Sequence, residues 1–146
     1  MLRWMVAMAA FACALGCASV RTPESDVRVL ARALDDRAEF RARLTESCPQ
    51  VVVMDQAIEA AISIGAPIFN AGSPLGCYRI YEGAAYKILY QLGDTCPDAA
   101  AVLRAGLARA EADSGAGQKA WAMRRAFDTL QGQPTRSGSG GGRPAR

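Results

Sequence analysis

Five cysteines, at positions 13, 17, 48, 77 and 96, are the residues of this 146-residue chain best equipped for chemistry. A thiol can attack an electrophile, hold a soft metal, accept a lipid or close a disulfide, and its neighbours decide which. The chain contains no histidine. That removes Cys-His and Ser-His nucleophilic pairs, histidine zinc sites and the haem-attachment motif. No two cysteines have C-x-x-C spacing, and no glycine-rich phosphate loop joins a strand to a helix. Cys77 as a nucleophile would need a nearby cation to lower its pKa, and Arg79 projects from another face of the same helix. Carboxylates cluster at Asp35, Asp36 and Glu39 and again at Asp55 and Glu59, a spacing that equally describes the wet side of an amphipathic helix. The pattern predicts no catalytic residue, no metal site and no cofactor, and therefore a protein that is not an enzyme.

The elements that position these residues begin after an export-like segment. "MLRWMVAMAAFACALGCASV" carries one basic residue, an apolar run from Trp4 to Leu15 and then small residues, the layout of a secretory signal. The run is shorter than the ~20 apolar residues of a stable spanning helix. "ALGC", Ala14 to Cys17, resembles the lipobox of bacterial lipoproteins. The resemblance implies removal of residues 1–16, a lipid on Cys17 and, with Ala18 following, a place on the periplasmic side of the outer membrane. An ordinary cut after "ACA", Ala12 to Ala14, would instead give a periplasmic or secreted chain.

The formal charge of +3 does not point to nucleic acid. Four of the 17 basic residues, Arg3, Arg136, Arg143 and Arg146, lie in the signal and the tail, which leaves 13 against 14 acidic residues and no phosphate-binding field.

After a linker at 17–25, periodicity predicts one helical domain over 26–131 and a disordered Gly/Ser/Arg tail over 132–146. Helix one spans Asp26 to Glu46, with Val27, Leu30, Leu34, Ala38 and Leu44 on its dry side. Glu39 and Arg43 are spaced for an i,i+4 pair. Helix two begins near Pro49 and carries Met54, Ala57, Ile58, Ala61, Ile62, Gly65 and Ile68, with Pro67 bending its last turn. Helix three opens at Ser73-Pro74, buries Cys77, Ile80, Tyr81, Ala84 and Ile88, and ends at Gly93 in the left-handed conformation. Helix four starts at Pro97, and helix five, near Gln118 to Gln131, presents Ala120, Met123, Phe127 and Leu130. The expectation is an all-α fold, a small antiparallel bundle of about five helices, in which "NAGS" folds helices two and three into a hairpin.

Ile64-Gly65, Ile68, Gly72, Cys77, Tyr81 and Ala84 follow the intervals of the tetratricopeptide pattern, and the stretch Ile64 to Ala84 resembles one such hairpin. The resemblance implies close helix packing at Gly65, Cys77 and Ala84, with Tyr81 over the seam, and binding along the face of the first helix. A weaker internal echo pairs Asn70 with Asp113, Gly72 with Gly115, Cys77 with Ala120 and Tyr78 with Trp121. "AWAMRRAFD", Ala120 to Asp128, together with the "FNAGS" turn, resembles small exported bacterial helical proteins of unknown function.

In an antiparallel hairpin the start of helix two lies beside the end of helix three. With Cys13 leaving in the signal and Cys17 holding lipid, three cysteines remain, and this arrangement predicts a Cys48–Cys96 disulfide with Cys77 as a buried free thiol at the opposite end. The candidate binding residues are Glu59, Ser63 and Asn70 along helix two, with Ala66 among them, and the aromatics Tyr78, Tyr86 and Trp121. Asn70 could pair with a peptide backbone or a carboxylate, or simply cap the turn before Gly72. The expected function is a lipid-anchored binding or scaffold module of the bacterial cell envelope that recognises a protein or peptide. The alternative is an accessory lipoprotein packed permanently into a larger complex. A polar groove around Asn70 would favour the first, and an apolar patch around Trp121 and Tyr86 the second.

Overall fold

The computed structural model describes residues 23–134; the expected signal, the Cys17 lipid site and most of the expected tail lie outside the described residues, as do the side chains of 23–31, 33 and 34. Five helices follow in order: α1 Pro23–Ser47, α2 Val51–Asn70, α3 Pro74–Leu92, α4 Pro97–Ala112 and α5 Ala116–Leu130. No strand occurs among the described residues, and the fold is an all-α bundle. The α2–α3 and α4–α5 pairs pack as hairpins, and α3 lies against α5 between them.

Apolar periodicity explains what is buried. Met54, Ile58, Ala61 and Gly65 of α2 meet Cys77, Tyr81, Ala85 and Ile88 of α3, while Leu103 and Leu107 of α4 and Met123, Phe127 and Leu130 of α5 complete the core. Tyr81 and Phe127 make an edge-to-face contact, with centroids 5.4 Å apart. Two glycines allow helices to touch. A Cβ on Gly65 would stand 2.5 Å from a Tyr81 ring carbon, and one on Gly106 would stand 2.7 Å from the Ala126 Cβ. At Gly65 the Tyr81 ring thus lies directly against α2.

The turns sort to two ends. At one end, Cys48 and Cys96 form a disulfide, with Cα atoms 4.9 Å apart, tying the α1–α2 turn to the α3–α4 turn. Arg41 reinforces this end, donating to both carboxylate oxygens of Asp55 at 3.1 and 2.5 Å and to the Leu130 carbonyl at 2.7 Å. At the other end lie the α2–α3 turn, where Gly72 adopts φ +89°, and the α4–α5 turn.

Several local expectations are corrected. Helix α1 is already formed at Pro23, the first described residue and three residues before Asp26. Helix α2 begins at Val51, with Pro49 in the preceding turn. It continues as helix past Pro67 to Asn70, so the expected loss of the bond to the Ser63 carbonyl does not end it; the Pro67 carbonyl accepts from Ala71 N at 2.9 Å, and Ser63 is solvent-exposed, so water can serve its carbonyl. Gly93 is right-handed, with φ −59° and ψ −32°. Its lack of a side chain matters because a Cβ there would collide with the Leu89 carbonyl. Fold order also extends past 131. Gln133 N donates to the Asp128 carbonyl at 2.7 Å, and the Gln133 carbonyl accepts from Arg37 at 2.8 Å.

Helix α2 is long and apolar enough to cross a membrane. Its packing on α3 and its Arg41–Asp55 ion pair give it a place in the bundle.

Candidate functional site

The end opposite the disulfide carries two adjoining hollows separated by an aromatic pair. Phe69, on the last turn of α2, meets Trp121 of α5 edge-on, with centroids 6.0 Å apart and planes at 76°. Both are half-buried, so each presents part of its ring to solvent.

The first hollow, about 180 Å³, lies on one side of this pair. Ala66, Phe69 and Asn70 form its α2 wall, Cys77 and Tyr81 its α3 floor, and Ala120, Trp121 and Arg124 its α5 wall. The turn beside it is closed by backbone alone: Ala71 N, Gly72 N and Ser73 N donate to the carbonyls of Pro67, Phe69 and Ile68. The Asn70 side chain makes no hydrogen bond among the described residues and stands exposed at the rim. It is therefore not the cap of this turn, which removes the purely structural role that its position suggested.

A buried polar chain underlies the hollow. The Arg124 Nε donates to Asp128 Oδ1 at 2.8 Å, and the Asp128 side chain is 1% exposed. Burial opposes the charge on Arg124, yet Asp128 and the Tyr81 hydroxyl outweigh it and hold the guanidinium pKa above its ordinary value. Burial, followed by the Cys77 thiol, pushes the Tyr81 hydroxyl up to about 12. Burial also raises Cys77, more than Tyr81 and Arg124 lower it. The expected condition for a reactive thiol, a nearby cation, is met by Arg124 rather than by Arg79. Desolvation still wins, so Cys77 remains a protonated thiol near neutral pH. Asp128 Oδ2 has no hydrogen-bond partner among the described residues.

The second hollow, about 330 Å³, lies across the aromatic pair. Phe69 and Trp121 are shared with the first, while Arg109 and Asp113 from the end of α4 and Gly117, Gln118 and Arg125 from α5 supply a polar rim. The smaller hollow falls below the ~300–1,000 Å³ of sites that enclose whole small ligands, and the larger sits at its low end. Such sizes suit individual side chains of a longer ligand.

The structure brings Asn70, Ala66 and Trp121 together but leaves Glu59 and Ser63 outside the hollows. Both are exposed further along α2, where the Ser63 hydroxyl donates to the Ala60 carbonyl at 2.9 Å. Tyr78 needs correction as a binding aromatic because it is buried. Its hydroxyl donates to Glu82 at 2.6 Å, with Arg79 and Lys119 5.5 and 5.7 Å from its ring centroid. The reason is angular: Tyr78 shares the inward arc of α3 with Tyr81 and Ala85. Burial and then Glu82 push its hydroxyl to about 12, and the Tyr78 bond is the main cause holding Glu82 below the usual carboxylate range. Tyr86 is exposed but lines neither hollow.

Sequence reasoning overlooked Phe69, Arg109, Arg124 and Arg125. Phe69 directly precedes Asn70, and Arg124 lies one turn after Trp121, so the helical period on which Trp121 was placed also carries the basic residues of this face. No family model matches the sequence, and neither a curated protein nor a solved structure matches it.

Proposed function

We propose that this chain is an exported helical binding module of the bacterial cell envelope, anchored by a lipid on Cys17, which captures a peptide segment of a partner at the end of the bundle opposite the disulfide. The observation that carries the proposal is the aromatic-floored groove around Asn70. An amide with no internal partner stands at its rim, and two half-buried rings stand within it. An amide can pair with both the N–H and the C=O of an extended peptide, and exposed aromatic faces receive its side chains at low entropic cost. The likeness of Ile64 to Ala84 to a tetratricopeptide hairpin adds support, since such hairpins bind along their first helices.

The accessory-lipoprotein reading draws on a different surface. Val52, Val53 and Ile64 of α2 and Tyr90 of α3 are each at least half exposed, as a helix packed into a larger complex would leave them when isolated. The two readings separate by mutation. Asn70→Ala and Trp121→Ala abolish capture of a partner co-purified from envelope extracts, with the Asn70→Ala melting temperature unchanged, if the groove binds. Retention of the partner by both variants, with loss on Ile64→Asp, assigns the contact to the outer helix face instead. Lipidation is tested separately by a globomycin-sensitive shift in gel mobility that Cys17→Ala removes.

A further inference from the structure

We infer that the groove is built for an acidic peptide segment, and that Arg125 and Arg109 receive a carboxylate of that segment beside Trp121. This inference rests on the peptide-binding proposal and names the class of ligand.

The argument is one of charge already committed and charge still available. Three arginines border the two hollows. The charge of Arg124 is offset by buried Asp128, with its Nε donating to Oδ1 at 2.8 Å, so it adds little net field for a newcomer. Arg125 forms no ion pair among the described residues, although it is half-buried against the aromatic wall. Arg109 has only Asp113, whose carboxylate oxygen is 3.9 Å from Nε, too far for a hydrogen bond, and its side chain is 70% exposed and free to move. Asp113 offsets part of this field, and one cation remains uncompensated over a hollow of about 330 Å³.

Three other arginines contrast with this, while Arg37 donates to the Gln133 carbonyl. Arg41 holds Asp55, Arg43 holds Glu39 and Arg79 holds Glu82. A guanidinium left without a carboxylate, partly desolvated beside an indole, favours a planar anion that accepts two N–H bonds. Gln118 on the same rim can donate to the adjoining peptide carbonyl, as Asn70 can on the far side of the Phe69–Trp121 pair. Carboxylate at one end and backbone amide at the other make the ligand a peptide with a Glu or Asp side chain, rather than a free small anion.

The test titrates the chain as isolated from the envelope and follows the Trp121 indole resonance by NMR, assigned by its loss in Trp121→Phe. The probes are N-acetylated, C-amidated Ala-Glu-Ala-Glu-Ala, the same peptide with glutamine for glutamate, and inorganic phosphate. The glutamate peptide is expected to bind about fivefold more tightly than its glutamine counterpart, with the preference lost in Arg109→Gln/Arg125→Gln and eroded by salt in the unmutated site. The salt arm needs no variant to fold. Equal binding of both peptides overturns the carboxylate assignment and leaves the peptide groove standing. Movement of the indole by phosphate as strong as by the glutamate peptide overturns the peptide assignment for this rim. No response to any peptide overturns the groove itself, and the inference with it.

Discussion

The two ends of the bundle hold the same helices by different means. At one end, the α1–α2 and α3–α4 turns are locked by a disulfide, a bidentate arginine and a tethered segment after α5. At the other, beside the α2–α3 and α4–α5 turns, α2 and α5 meet through the Phe69–Trp121 edge contact, with a hollow on each side. The contrast teaches a division of labour. A small domain has little core to spare, so stability concentrated at one end lets the other leave polar groups unpaired and aromatic rings partly wet.

The largest effect that could break this comparison is loss of the bridge. The Cys48→Ser/Cys96→Ser variant is expected to lose about 4 kcal/mol in denaturant titration, on the chain-entropy account of a loop of this length. If the ends are independent, its groove should still bind whatever the wild type binds under conditions where it stays folded.

Second is Arg124→Met, which leaves Asp128 buried without its cation and should cost about 3 kcal/mol. Adding Asp128→Leu should recover most of that loss, because a matched apolar pair removes the stranded charge. A double variant as unstable as the single one would mean that Asp128 has another essential partner.

Alkaline pH sharpens the picture through two buried tyrosines of α3, of which Tyr81 floors the groove. Tyr78 and Tyr81 titrate near 10 when unfolded and at about 12 when folded. A raised folded pKa contributes stability that is full below pH 10 and is lost as pH climbs towards 12. The melting temperature should therefore fall across that window as absorbance at 295 nm rises, and Tyr81→Phe should flatten the fall.

Smaller again is Gly65→Ala, whose methyl must displace the Tyr81 ring, at about 1–2 kcal/mol. Asn70→Ala should lie within about 0.5 kcal/mol of the wild type, since its side chain holds nothing in place among the described residues.

Much of the closed end was legible in the sequence. Apolar periodicity and the "NAGS" turn placed α2 and α3 antiparallel, and with Cys13 and Cys17 assigned to the signal and the lipid, that set Cys48 beside Cys96 and isolated Cys77. The open end was harder to see, because its contacts join residues far apart in the chain. Arg124 and Asp128 carry the i,i+4 spacing of an ordinary exposed pair, and the packing of neighbouring helices on α5 buries them. Tyr78 misled because residues 77, 78 and 81 share an inward arc wide enough for two aromatics. Gly93 misled because a glycine after a helix usually relieves φ, whereas here it clears space for the Leu89 carbonyl.

The most direct test of this two-ended account is amide hydrogen exchange of the native full chain, followed peptide by peptide. The account predicts slow exchange around residues 51–58 and 85–92, nearest the disulfide, and markedly faster exchange around 66–73 and 112–119. Equal protection at both ends, or faster exchange beside the disulfide, would contradict it.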